Sequence, residues 1–172
     1  MSALTLRPLL STDETAFREA VREFRTSDPD WEFAFYFDEN TDFIDYVRKL
    51  DAWSRGEELP GHFVPSTYLV AVIGVRIVGR LSLRHRLNAF LAHAGGHVGY
   101  GVVPSARRRG YATEILRQSL PLARAVGIGQ MLVTCDDDNV GSYKVIEANG
   151  GVLENRVRFE GITKRRYWID CR

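Results

Sequence analysis

Apolar side chains recur at two different periods along the chain. In some segments, such as 12–25 and 41–55, they return every three or four positions, as on the buried face of a helix, and in others, such as 67–73 and 97–103, they alternate or run continuously, as in strands. The predicted elements, in chain order, are a strand at 4–9, helices at about 12–25 and 41–55, strands at 67–73, 76–86 and 97–103, a helix at 110–126, a strand at 130–135, a helix at 139–149, and strands at 152–158 and 163–170. This order predicts one α/β domain over residues 1–172, in which a central mixed, mostly antiparallel sheet of about seven strands carries helices on both faces.

Small polar residues and prolines mark the predicted helix ends and one weak point. Ser11 and Glu14 have the spacing of a capping box, Thr41 precedes the second helix, and Asn139 precedes the last one. Pro121 lies inside the third helix, where its missing N–H is expected to kink or weaken the helix.

Composition narrows the class of protein. The chain has 172 residues, of which 45% are hydrophobic and 26% charged, and this is the size and make-up of one globular domain with its own core. The longest apolar stretch, 69–75, is too short for a membrane span, and the first residues lack the features of a signal peptide. These features lead us to expect no membrane partner. The two cysteines, Cys135 and Cys171, form neither a disulfide framework nor a metal-binding cluster, so we also expect a cytoplasmic protein with no metal.

The net charge of +1 is the sum of two unlike halves. Residues 1–60 hold 7 basic and 14 acidic side chains, whereas residues 61–172 hold 16 basic and 8 acidic ones. The basic half raises nucleic-acid binding as one class of function. No nucleic-acid motif is present, however, and the aromatic residues concentrate in the acidic half, so we expect no nucleic-acid partner.

The most informative segment is the basic loop between the strand predicted at 97–103 and the helix predicted at 110–126. The strand ends at Val103, and the three arginines Arg107–Arg109 stand directly before Gly110 at the helix start. Free amides of a tight loop and of a helix N-terminus converge there, and the helix dipole favours negative charge. Gly110 and the small Ala112 let a ligand approach the backbone. The segment therefore predicts a pyrophosphate-binding loop, with a solvated basic turn as the alternative.

Two motifs in this half of the chain resemble one known family. Arg107-x-x-Gly110-x-Ala112 resembles the (Gln/Arg)-x-x-Gly-x-(Gly/Ala) motif of the GNAT (general-control-type N-acetyltransferase) superfamily, and Asn139-x-x-Ser142 followed by two glycines resembles its second signature. The resemblance implies acetyl-CoA as co-substrate, with its pyrophosphate on the loop and its pantetheine arm along the preceding strand. The cofactor-binding residues that it implies are Tyr100, Val102, Val103, Arg107, Arg108, Arg109, Gly110, Tyr111, Ala112, Asn139 and Ser142.

The activity that this resemblance implies is N-acetyl transfer, by direct attack of a primary amine on acetyl-CoA in a ternary complex. Backbone amides around Tyr100–Val102 would stabilise the oxyanion. Residues 1–60 would form the acceptor side and residues 67–172 the acetyl-CoA-binding core. The acidic charge of the first segment then predicts a cationic small-molecule or peptide acceptor. The alternative is a weak or inactive acyl-CoA-binding module of the same fold, and a homodimer is the common default for such chains.

Two side chains are candidates for proton transfer. With a period of 2, His97 shares a strand face with Gly99, where a ligand could approach, so it is a candidate general base; a histidine that merely hydrogen-bonds a loop is the alternative. Many family members carry a tyrosine seven residues after the motif asparagine, and this chain has Ile146 there. Tyr143, one helical turn earlier, is the candidate acid, although a packing role or a cofactor contact is favoured for it.

Two further features between these motifs are assigned structural roles. The run Asp136-Asp137-Asp138 could bind an amine or a metal, but acidic residues before a helix are more typical of a polar turn that favours the helix N-terminus. Cys135 ends an apolar strand, which indicates an inert buried thiol rather than a nucleophile.

Overall fold

The computed structural model describes residues 3–172 and contains seven strands in two antiparallel sheets, ordered β1-β2-β3-β4 and β5-β7-β6. The strands are β1 (Thr5–Pro8), β2 (Ser66–Ile73), β3 (Arg76–Arg84), β4 (Val98–Val102), β5 (Gln130–Asp136), β6 (Val152–Phe159) and β7 (Ile162–Asp170). The helices are α1 (Glu14–Arg25), α2 (Phe43–Ser54), α3 (Tyr111–Ala125) and α4 (Val140–Ala148). The predicted α/β class and the element order are confirmed. Within residues 3–172, no helix combines the length and the apolar character needed to cross a membrane.

The helix starts differ from the prediction at two of three caps. At α1 the backbone N–H of Leu10 donates to Asp13 Oδ2 (2.8 Å), and Ser11 makes no capping bond, so the predicted Ser11 cap is wrong. Asp13 is held in this position by an ion pair with Arg7 (2.7 Å).

At α2 the cap is the residue after the predicted one. Asp42 Oδ1 accepts the N–H of Asp45 (2.8 Å), whereas the hydroxyl of Thr41 donates to Asp38 in the preceding turn (3.0 Å). The predicted α4 cap is confirmed by Asn139, and α3 runs through Pro121 without a break.

The aromatic residues of the acidic half pack as a layer on β2 and β3. Phe17 of α1 is completely buried and lies at its centre. The rings within 6.5 Å of it belong to Phe33, Phe37, Phe43, Tyr46 and Tyr68. Aromatic side chains carry the largest burial energy per residue, so this layer fixes the segment between α1 and α2 onto the sheet.

The two sheets meet at one point and separate beyond it. The N–H of His97 donates to the carbonyl of Leu132, and the N–H of Leu132 donates to His97 Nδ1, both at 2.8 Å. Gly96 lies at this junction with φ of +68°, and a Cβ there would come within 2.7 Å of the Leu132 carbonyl oxygen. Past the junction no strand pairing joins β4 to β5. The predicted single sheet is therefore divided, and a gap opens between its halves.

Candidate active site

A groove occupies the gap between β4 and β5. It consists of two adjoining cavities of about 840 and 390 Å³ that share six lining residues, which are Trp31, Tyr100, Asp136, Asn139, Ser142 and Ile162. A smaller cavity of about 200 Å³, here called the side chamber, shares Arg84 and Phe90 with the groove. The groove and the side chamber thus adjoin where the sheets separate.

One edge of β4 faces this groove without a partner strand. The N–H of Val103 donates to Val78 (3.0 Å), so the odd-numbered residues in this part of β4 direct their backbone groups at β3. Backbone direction alternates along an antiparallel ladder, which turns the N–H groups of Tyr100 and Val102 towards the groove. The Val102 carbonyl is already used by Arg107 Nε (3.0 Å). Two backbone donors therefore line the groove where the sequence predicted them.

The loop before α3 presents a second set of free amides. The first helical bond of α3 runs from the N–H of Glu114 to Gly110 (3.1 Å), and no carbonyl of residues 3–172 accepts a hydrogen bond from the N–H groups of 108–113. Arg108 and Gly110 have φ of +60° and +80°, and nothing lies within 4 Å of where a Gly110 Cβ would stand. Unpaired amides at an open helix N-terminus form an anion site, and they fit a pyrophosphate.

The side chain of Arg107 points away from this site. Its guanidinium donates to Asp28 (2.6 Å) and Ser27 (3.1 Å) and lies 5.5 Å from the ring centre of Phe24. Hydrogen bonds from Ser27 and Arg107 hold the pKa of Asp28 below its ordinary value. Arg107 thus ties the loop to the chain after α1, and its use as a phosphate-binding cation stays a prediction. Arg108 and Arg109, like Arg107, are exposed.

The strand glycines that suggested ligand approach accommodate protein side chains instead. A Cβ on Gly101 would lie 2.8 Å from the Trp31 ring, and one on Gly99 would lie 3.3 Å from Arg84 Nη2. This face of β4 carries the aromatic layer, and both glycines also line the groove, Gly99 in the smaller cavity and Gly101 in the larger one. The groove is open as well to the edge of β4 and to Tyr100 on its other face.

His97 holds the two sheets together at the closed end of the groove. Its Nδ1 is occupied by the Leu132 N–H, and burial together with the charge of Arg84 lowers its pKa to about 4. A base of that strength removes a proton from an ammonium ion poorly. The geometry favours the alternative in which His97 hydrogen-bonds its surroundings, so we assign it no proton transfer.

This position predicts a pH-dependent stability. The pKa of His97 is about 4 in the folded protein and 6.5 ordinarily, so the unfolded chain binds the proton more readily. The contribution of His97 to the free energy of unfolding is therefore complete above about pH 6.5 and is lost as the pH falls towards 4. The variant His97→Asn keeps an acceptor for the Leu132 N–H without titrating. Between pH 7.5 and 4, urea unfolding should show a loss for wild type about 3 kcal/mol larger than for the variant. Parallel pH profiles would contradict this assignment.

The N-terminal half of α4 forms the opposite wall of the groove. Asn139 Oδ1 accepts the N–H of Ser142 (3.0 Å), and the Ser142 hydroxyl is hydrogen-bonded to the hydroxyl of Tyr100 (2.9 Å). Burial raises the pKa of Tyr100 above its ordinary value, so its hydroxyl stays protonated. Tyr100 and Ser142 thus bring a neutral proton donor and its partner into the groove.

Tyr143, the candidate acid, lies on another face of α4. The Arg165 guanidinium stacks 4.0 Å from its ring centre, and Tyr143 does not line either cavity of the groove. Ile146 is 0% exposed and belongs to the core. The structure therefore supports the packing alternative for Tyr143 and brings Tyr100, not Tyr143, to the site.

The remaining polar candidates have structural partners. Asp136 pairs with Lys164 (2.5 Å), and Asp137 pairs with Arg156 (2.7 Å) and Arg165 (2.6 Å). Within the described chain, His, Cys, Asp and Glu side chains form no group of three that could hold a metal ion. The acidic run thus joins β5 to the last two strands.

Arg80 and Arg84, both beside the groove, were missed in the sequence. They lie with Ser82 at alternate positions of β3, so all three share the face that carries the aromatic layer. The signal was present, because three polar side chains at a period of 2 interrupt the inward face of an apolar strand. In the sequence alone, however, polar side chains at that spacing are typical of the solvent face of a half-buried strand.

Comparison with known proteins identifies the family. The family model described as the GNAT acetyltransferase domain matches residues 3–152, which is most of the chain. The chain belongs to this family and is an acyltransferase enzyme. A search of curated proteins gives no match to the sequence.

Solved structures share the fold over nearly the whole chain. The ribosomal-protein-S5-alanine acetyltransferase of Vibrio fischeri is 17% identical, with a TM-score of 0.72 over 99% of this chain and 94% of that one. RimJ of Mycobacterium smegmatis, solved with a CoA disulfide, is 20% identical, with a TM-score of 0.72 over 98% and 82%. The microcin C7 self-immunity acetyltransferase MccE, solved with acetyl-CoA and AMP, is 14% identical, with a TM-score of 0.68 over 97% and 92%.

Proposed function

We propose that this enzyme transfers the acetyl group of acetyl-CoA to a primary amine by direct attack in a ternary complex. The proposal rests on two sets of free backbone N–H groups that lie along one groove. One set belongs to residues 108–113, and the other belongs to Tyr100 and Val102 on the edge of β4. The first set suits the pyrophosphate, and the second suits the pantetheine arm and the thioester carbonyl. Asn139 and Ser142 border the opposite wall.

Different groups of this chain would assist different steps of the transfer. The amine nitrogen bonds to the carbonyl carbon while the N–H groups of the β4 edge stabilise the developing oxyanion, and the carbon–sulfur bond breaks. Tyr100, which its raised pKa keeps protonated, donates a hydrogen bond to the departing sulfur and passes its proton across as it regains one from solvent. The amine proton passes to solvent in the open groove.

Cys135 bears on whether an acetyl-enzyme forms. Its thiol lines the groove, but burial raises its pKa to about 11, so at neutral pH it is not a thiolate. The thiolate is the nucleophilic form of cysteine. We therefore expect no acetyl group on Cys135 when the protein is incubated with acetyl-CoA and examined by intact mass.

The test of the activity is release of free CoA thiol from acetyl-CoA across a panel of primary amines, with each product confirmed by mass. Thiol release and acetylated amine together support the proposal. Calorimetry with CoA is the companion measurement: tight binding without turnover of any amine would support the inactive binding module instead. The cytoplasmic location, the homodimer and the division into acceptor and cofactor segments stay predictions.

A further inference from the structure

The side chamber lies on the acceptor side of the groove, away from the anion site at 108–113. The segments before and after α2 and the loop after β3 enclose it, and its volume is about 200 Å³. Aromatic walls from Phe35 and Phe63 face Ser82 and Arg84, and Glu32 is the acidic residue of the lining. A space of this size admits a side chain or a small molecule rather than a folded surface.

Arg84 stands between the chamber and the groove with part of its guanidinium unused. Its Nη1 donates to the carbonyls of Gly95 (3.1 Å) and Gly96 (3.3 Å), which fixes the plane of the group. Its Nε and Nη2 donate to no acceptor among residues 3–172, and no acidic side chain there lies within 4.0 Å of it. An oriented, half-buried cation thus presents free donors to the cavity.

Arg80, two positions away on the same face of β3, provides the contrast. Its three nitrogens donate to the carbonyls of Phe33, Gly99 and Glu32, and its guanidinium stacks 3.9 Å from the Trp31 ring centre. Arg80 is therefore a closed structural arginine. Arg84, by comparison, lacks acceptors within the described chain for two of its nitrogens, and the exposed Glu32, which lines the same chamber, forms no ion pair with it within 4.0 Å.

The geometry points to a carboxylate on the acceptor, bound by Arg84; this inference rests on the proposed function. A guanidinium binds a carboxylate through two parallel N–H donors, and Nε with Nη2 is one such pair. A buried charge is costly without a partner, and the acceptor would supply that partner on binding. The acceptor class is then a small amine that carries a carboxylate, as an amino acid does, and not the cationic acceptor that the charge pattern predicted.

The test compares matched acceptors and matched variants. Each L-amino acid of a panel is paired with its own carboxamide, which keeps the amine and removes the negative charge. Arg84→Gln should lower kcat/KM for the amino acids about 30-fold and for the amides less than about threefold. Taking the ratio of variant to wild type for each acceptor cancels the different basicities of the two amines. The control Arg86→Gln changes an exposed arginine nearby and should leave both values unchanged.

Further measurements separate this inference from the proposed function and from misfolding. Arg84→Lys keeps the charge without the fork and should recover part of the loss, and CoA affinity should be equal in all variants. If no amine is acetylated, the proposed function has failed. The inference can then still be tested by calorimetry of the wild type with CoA present, which measures whether amino acids bind more tightly than their amides. Equal losses for acids and amides in Arg84→Gln, or no preference of the wild type for the acids in binding, would overturn the inference.

Discussion

Replacing Gly110 by Asp is expected to weaken acetyl-CoA binding about 1000-fold while leaving the fold intact, because like charges brought together cost several kcal/mol. Gly110 precedes α3 in the left-handed region, with φ of +80° and open space around its Cβ position. Asp tolerates that conformation better than most residues, and a negative charge at a helix N-terminus is favourable. The variant should therefore fold, yet its carboxylate would stand where the pyrophosphate needs free amides.

The matched control for this substitution is Gly74→Asp. Gly74 also has a positive φ, of +60°, and empty space around its Cβ position, but it lies in the turn between β2 and β3. Calorimetry should give the wild-type Kd for Gly74→Asp and a loss of binding for Gly110→Asp, with melting temperatures of the two variants within a few degrees. Unchanged CoA affinity in Gly110→Asp would show that the loop before α3 is not the phosphate site.

The elements and the open loop before α3 could be predicted because their signals are local. The hydrophobic period of a helix or strand is set by residues a few positions apart. Helix caps are equally local, and Gly110 before α3 and Asn139 before α4 lie where they were predicted. The division of the sheet is not local. It depends on His97 Nδ1 taking the N–H of Leu132, 35 positions away, so that a side chain ends the pairing of two strands. No spacing in the sequence encodes that contact.

The charge pattern is a weak guide to the acceptor, because counting charges ignores where they are neutralised. On α2, Asp45 pairs with Lys49 (2.8 Å) one turn away, and Asp51 pairs with Arg55 in the same way. Such surface pairs leave little field at a distance once salt screens them. Arg84, the cation that we propose binds the acceptor, is instead one half-buried residue without an ion-pair partner within residues 3–172. A net charge of −7 over residues 1–60 therefore says little about the acceptor.

Replacing Tyr100 by Phe is expected to lower kcat about 100-fold with little change in the KM for acetyl-CoA, since general acid catalysis contributes about 10²- to 10⁴-fold. The change removes only the hydroxyl that meets Ser142 at 2.9 Å, while the ring and the backbone N–H of β4 remain. Sulfur would then depart without a proton from the protein. Because a raised pKa keeps Tyr100 protonated, the wild-type rate should rise with pH as the amine loses its proton, with no fall in the alkaline range caused by Tyr100.

Tyr143→Phe is the matched substitution that decides between the two tyrosines. Tyr143 lies under Arg165 and outside the groove, so losing its hydroxyl should leave kcat unchanged within about twofold, in the range of a surface substitution. Initial rates for both variants, measured at saturating acetyl-CoA with the best amine, give the comparison. A large loss in Tyr143→Phe with none in Tyr100→Phe would return the acid to α4, and it would mean that the helix turns when the groove is filled. A loss in Tyr100→Phe alone would assign the proton donor to Tyr100 of β4. In this chain the buried Ile146 stands at the position where many family members carry a tyrosine.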